Sequence, residues 1–98
     1  MDMSTSDLTV HDEPDTSRYT LRLDREVVSF ADYSIDGDVV TLPHVETDPA
    51  HRGQGYAAAL MDGMLASIRS QDRRVRPVCP YAASYMRDRP ESHDLVAT

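Results

Sequence analysis

An extended apolar segment, residues 39–47, runs into a loop at Asp48-Pro49 and emerges in the best helical pattern of the chain, residues 56–70. The connection between them, Arg52-Gly53-Gln54-Gly55-Tyr56-Ala57, constrains what can be built around it. Gly53, Gly55 and Ala57 let the backbone pass close to a ligand, and the first turn of a helix carries N–H groups without intrahelical partners. Those donors lie at the positive end of the helix dipole and suit a phosphate or pyrophosphate. The spacing is neither Gly-x-Gly-x-x-Gly nor a P-loop ending in Gly-Lys-Ser/Thr. The same glycines would equally serve a strand-to-helix turn that binds nothing.

The chain of 98 residues has room for one core, burying roughly 60–65% of the unfolded surface. No apolar run approaches a membrane span, and the acidic, polar start is unlike a signal peptide. One cysteine, Cys79, excludes an internal disulfide and fits a reducing, cytoplasmic setting. Neither it nor the histidines show metal-ligand spacing, so no metal is expected. The net charge is −7, and all ten basic residues are arginines. Residues 1–50 hold twelve acidic side chains against three basic, residues 51–98 five against seven. An acidic chain argues against general nucleic-acid binding and favours approach of a cationic amine.

The order of elements reads β-β-β-α-β-α, a single α+β domain over residues 8–98 behind a loose tail, residues 1–7. A short strand over Leu8–His11 precedes a loop over Asp12–Ser17. Residues 19–23 and 27–35 alternate as half-buried strands with a tip at Asp24-Arg25, and Asp36-Gly37 turns the second into residues 39–47. These last three form an antiparallel meander. Leu60, Met61, Met64, Leu65 and Ile68 then make one apolar helix stripe. A strand over residues 76–79 follows, entered by an exposed turn at Arg73–Arg76. A helix over residues 81–87 starts at Pro80, and Glu91–Val96 adds a turn.

Four motifs in order carry a resemblance: His44-Val45-Glu46-Thr47, Arg52-Gly53-Gln54-Gly55, Cys79-Pro80-Tyr81 and Arg89-Pro90-Glu91-Ser92. They resemble the GCN5-related N-acetyltransferases, and within them the small yjdJ-type branch. The tail motif lacks the His and Tyr of that branch. The resemblance covers about residues 8–97. It implies a compact fold, a meander followed by β-α-β-α, with acetyl-coenzyme A between splayed central strands. It implies that Val45 and Thr47 pair through their main chain with the pantetheine arm. Arg52, Gly53, Gln54, Gly55, Tyr56 and Ala57 would hold the pyrophosphate, and Arg87 or Arg89 could meet phosphates.

Acetyl transfer to an amine needs a base for the ammonium proton and an acid for the leaving thiolate. His44 and Glu46 stand two apart on a strand and share a face, so His44 is the candidate base, with Glu46 drawing in the amine or orienting a water. Cys79, between a strand and a helix, could accept the acetyl group, line the pocket or be a buried inert thiol. Tyr85 could protonate the departing sulfur, by resemblance, or pack on the core. Tyr81 is assigned to packing, and His51 has no role. Three classes remain open: an N-acetyltransferase acting on a small or peptide amine, a non-catalytic acyl-coenzyme A binding module, and a small interaction protein. Monomer and homodimer are both compatible with the sequence.

Overall fold

The computed structural model describes residues 7–97. Five strands form one sheet in the order β1-β2-β3-β4-β5. They are β1 (Leu8–Glu13), β2 (Arg18–Leu23), β3 (Glu26–Asp36), β4 (Val39–Thr47) and β5 (Arg74–Pro77). The first four are antiparallel neighbours. Their turns use Ser17, Asp24 and Gly37 at positive φ, the conformation that lets two strands reverse tightly. Helix α1 (Tyr56–Ser70) crosses back from β4, so β5 lies parallel to it, as a crossover connection requires. Helix α2 (Pro80–Arg87) follows, then a 3₁₀ segment, Pro90–Leu95.

The helix stripe read from sequence is the core. Leu60, Met61, Met64, Leu65 and Ile68 are all buried, with Tyr19, Leu21, Ala31, Val40 and Leu42 of the sheet in the same cluster. The opposite sheet face keeps its polar side chains.

Three expectations change. The meander has four antiparallel strands, because β1 runs on through Glu13 and leaves only Pro14–Ser17 as the turn. Glu13 is held there by hydrogen bonds from Thr20 Oγ1 and Arg22, each 2.7 Å long. These bonds keep its carboxyl below the usual carboxylate range, the Thr20 bond being the largest cause. The last strand spans Arg74–Pro77 rather than residues 76–79. Val75, expected in an exposed turn, is fully buried opposite Val40. Finally, Asp7 belongs to the folded part, since its carbonyl accepts from Asp24 N–H at 2.9 Å. The tail expected over residues 1–6 lies outside the described residues.

The register between β3 and β4 contains an irregularity that positions the site. Asp32 pairs with His44 and Ser34 with Thr41, two steps on β3 against three on β4. β4 therefore carries one extra residue at Leu42-Pro43, a β-bulge. Before it Val40 and Leu42 face the core; after it Val45 does, leaving His44 and Glu46 on the uncovered face.

β1 reaches the core by a close approach. A Cβ on Gly63 of α1 would lie 2.8 Å from Val10 Cβ and would overlap Val10 Cγ2. Gly→Ala in a helix normally gains about 1 kcal/mol. Gly63→Ala should instead lower the urea midpoint, by overpacking of about 1–3 kcal/mol. Adding Val10→Ala should restore part of that loss.

Candidate functional site

β4 and β5 pair only as far as Leu42 and Pro77. There the Leu42 carbonyl accepts both Val78 N–H (3.1 Å) and Cys79 N–H (2.8 Å), and the chain turns into α2. Beyond that point no strand among the described residues pairs with the far edge of β4. The Glu46 carbonyl accepts from Ser29 Oγ at 2.8 Å and Asp48 N–H donates to the Val28 carbonyl, so both face β3. Backbone groups alternate along a strand, which turns the N–H and C=O of Val45 and Thr47 to the open edge.

Two cavities meet along this edge. One, of about 490 Å³, is lined by His44, Val45, Glu46, Thr47, Arg52, Ala57 and Tyr81. The other, of about 230 Å³, adds His51, Gly53, Gly55, Tyr56 and Ala58, and shares Thr47, Arg52, Ala57 and Tyr81 with the first. Together they form one cleft from the bulge to the start of α1.

The loop is built for backbone display. Asp48 Oδ1 accepts from Ala50 N–H at 2.9 Å and starts a short 3₁₀ turn. Gly53 and Gly55 then take φ of 81° and 79°, and Gly55 caps α1 without a side-chain hydrogen bond. A Cβ at either glycine would meet no atom within 4 Å. The first residues of α1 line the second cavity, with Arg52 as its cationic side chain. His51 anchors the loop: its Nε2 lies 3.0 Å from Glu26 Oε2, and its ring is 5.9 Å from that of Tyr56. Glu26, Asp48 and His51 converge to within 4.8 Å, a spacing that could hold a cation, but each has a structural partner or cap to satisfy.

His44 and Glu46 share the expected face and are bonded, Nε2 to Oε1, at 2.8 Å. A carboxylate accepts, so Nε2 is the nitrogen that donates in this bond. Phe30 stands beside the imidazole, ring centroids 6.0 Å apart.

Other expected residues lie elsewhere. Cys79 is buried in the core cluster at the start of α2 and lines neither cavity. Tyr85 lines a separate groove between α1, α2 and the 3₁₀ segment, under the Arg89 guanidinium at 3.6 Å; its hydroxyl is buried and has no partner among the described residues. Arg87 is exposed on the last turn of α2, and neither it nor Gln54 lines the cleft. Tyr81, assigned to packing from the sequence, is 39% exposed and lines both cavities. Desolvation raises its pKa above the ordinary tyrosine value. Its place just after Pro80, at a helix start, was the signal available in the sequence. For the Glu26–His51 tether, 25 residues apart, there was none.

Residues 18–95 match the sequence profile of the family described as GCN5-related N-acetyl-transferase. The chain belongs to the GCN5-related N-acetyltransferase family. Its fold is similar to that of the ribosomal-protein-S18-alanine N-acetyltransferase from Escherichia coli, at 17% identity and a TM-score of 0.62 over 72% of this chain and 49% of that one. Ard1 from Thermoplasma volcanium gives 26% identity and 0.55 over 67% of this chain and 45% of that one. A GCN5-like protein from Staphylococcus aureus, solved by NMR, gives 13% and 0.65 over 97% of this chain and 91% of that one. The chain thus spans about half the length of the first two. No curated protein sequence matches it significantly.

The two loop glycines differ in kind from Gly63. Alanine at Gly53 or Gly55 should cost about 1–2 kcal/mol in urea denaturation through left-handed strain alone, since the added methyl group touches nothing.

Proposed function

We propose that this chain is a cytosolic N-acetyltransferase of the small yjdJ-type branch that uses acetyl-coenzyme A to acetylate a primary amine. The observation that carries this reading is the cleft: a strand edge free of pairing leads directly to an uncapped helix start built on two left-handed glycines. The open space beside Gly53 and Gly55 fits a pyrophosphate, and the free groups of Val45 and Thr47 fit the amides of a pantetheine arm.

When bound, acetyl-coenzyme A supplies the activated acetyl group. The backbone of Gly53, Gln54, Gly55, Tyr56 and Ala57, with the Arg52 side chain, holds its phosphates. Arg87 has no part. Val45 and Thr47 align the arm with the bulge. His44 takes the proton of the attacking ammonium at Nδ1, and Glu46 fixes the tautomer through Nε2. Tyr81, which lines the cleft, is the tyrosine this reading assigns to donate to the departing sulfur. Cys79 and Tyr85 line neither cavity, and this reading assigns them no step. The reaction balances as an ammonium and an acetyl thioester giving an amide, a thiol and one proton released to solvent.

Two experiments test this. Ala57→Glu sets a carboxylate on the wall shared by both cavities, where phosphates would lie. It should abolish coenzyme A binding in calorimetry while the helical circular dichroism stays unchanged; unaltered affinity would refute the reading. His44→Gln should cost about 10²-fold or more in kcat/KM and remove the acid limb of its pH profile, with acetyl-coenzyme A affinity retained. Full activity and an unchanged profile would reduce His44 to a structural residue.

A further inference from the structure

We infer that the acceptor is a lysine side chain of a peptide or protein, held in a groove on the sheet face that α1 leaves uncovered. This deepens the acetyltransferase reading and rests on it. The groove, a cavity of about 410 Å³, is lined by Arg18, Val27, Phe30, Glu46, Asp48 and Pro49 among others. It joins the cleft at Glu46, which lines both. An amine lying in it therefore reaches the reacting end of the cleft beside His44.

Its chemistry is graded. Glu46 and Asp48 supply negative charge at the cleft end. Glu46 Oε1 is taken by His44, so its second oxygen remains to accept from an ammonium. The middle is apolar: Phe30, and Val27 at 40% exposure. Such walls suit the four-carbon stem of lysine, which buries methylenes while its charged head meets a polar partner. The α-amine of an N-terminus is a poorer fit. Its first peptide group would fall against Phe30 and Val27 and lose water without gaining a hydrogen bond.

The far end decides between a lysine side chain and a free diamine. Arg18 lies flat on Phe30 at 3.9 Å, and its Nε donates to Asp32 at 2.8 Å. Its two terminal nitrogens have no such partner among the described residues and can donate to a main-chain carbonyl. A diamine would instead bring its second ammonium to this guanidinium. Phe30 is paired with Glu46 on β4 and with Thr20 on β2. The groove thus spans two strand spacings, about 10 Å, a distance that suits an extended lysine side chain with its own carbonyl.

The test compares three acceptors with the full chain and acetyl-coenzyme A. They are a peptide with one lysine and a blocked N-terminus, the same peptide with a free N-terminus and no lysine, and 1,5-diaminopentane. The chain contains no lysine, so any acetyl-lysine found by mass spectrometry arises in the acceptor. The blocked lysine peptide should have kcat/KM at least about tenfold above the other two. Val27→Glu should lower its KM and Val27→Arg should raise it, each leaving the KM for acetyl-coenzyme A unchanged. Opposite shifts from one site cannot arise from general destabilisation. Preference for the free N-terminus or the diamine overturns the inference, as do Val27 variants that shift KM in the same direction or not at all. If acetyl-coenzyme A still binds in calorimetry in those cases, only the acceptor assignment falls. If it does not bind, the acetyltransferase reading falls with it.

Discussion

The Leu42 carbonyl receives two N–H groups, from Val78 and Cys79, at the point where β5 stops following β4. A strand that continued past this point would pair with Val45 and Thr47 and close the cleft. Pro77 and Pro80 flank the parting and supply no N–H of their own. The sheet therefore ends one ladder with its last donors satisfied and leaves the edge of β4 open. An exposed edge is normally a site of aggregation. Here it is short, recessed behind Arg52, Ala57 and Tyr81, and bordered by the hydrogen-bonded His44–Glu46 pair.

The bulge at Leu42-Pro43 is the second half of the same arrangement. Without the extra residue, the side chains that face the core before it would alternate unchanged, and His44 and Glu46 would point toward α1. Burying an imidazole and a carboxylate there would cost several kcal/mol unless they remained paired. With the bulge, Val45 takes the core position, and the polar pair stands on the open face beside Phe30. The same irregularity so separates the backbone that would hold a cofactor from the side chains that would handle a proton.

Much of this was legible in the sequence, and the limits have physical causes. The bounds of β4 and α1 could be read because each has a strong period, and Asp36-Gly37 and Gly55 mark where it begins. The common face of His44 and Glu46 followed from strand alternation, which local sequence determines. The end of β5 was misplaced because Arg73–Arg76 carries three charges around Val75, whose burial depends on Val40 across the sheet. Tyr81 and Tyr85 are one helical turn apart, and only the packing of α2 on α1 decides which ring faces the cleft. Gly63 gave no local sign of its purpose, which is the contact with Val10 more than fifty residues away.

A sheet with one uncovered face must stabilise that face without a second core. In this chain many uncovered side chains pair with each other: Arg18 with Asp32 and Phe30, Arg22 Nη2 and Thr20 with Glu13, His44 with Glu46. Each exposed pair contributes little alone, typically below 1 kcal/mol, and the fold rests on the α1 face instead. That division leaves the open face free to be chosen for chemistry. A covering helix would add buried area but would occlude the groove ending at Glu46. The core on one side carries the stability, and the polar side keeps a carboxylate and an imidazole on an open face rather than inside a closed pocket.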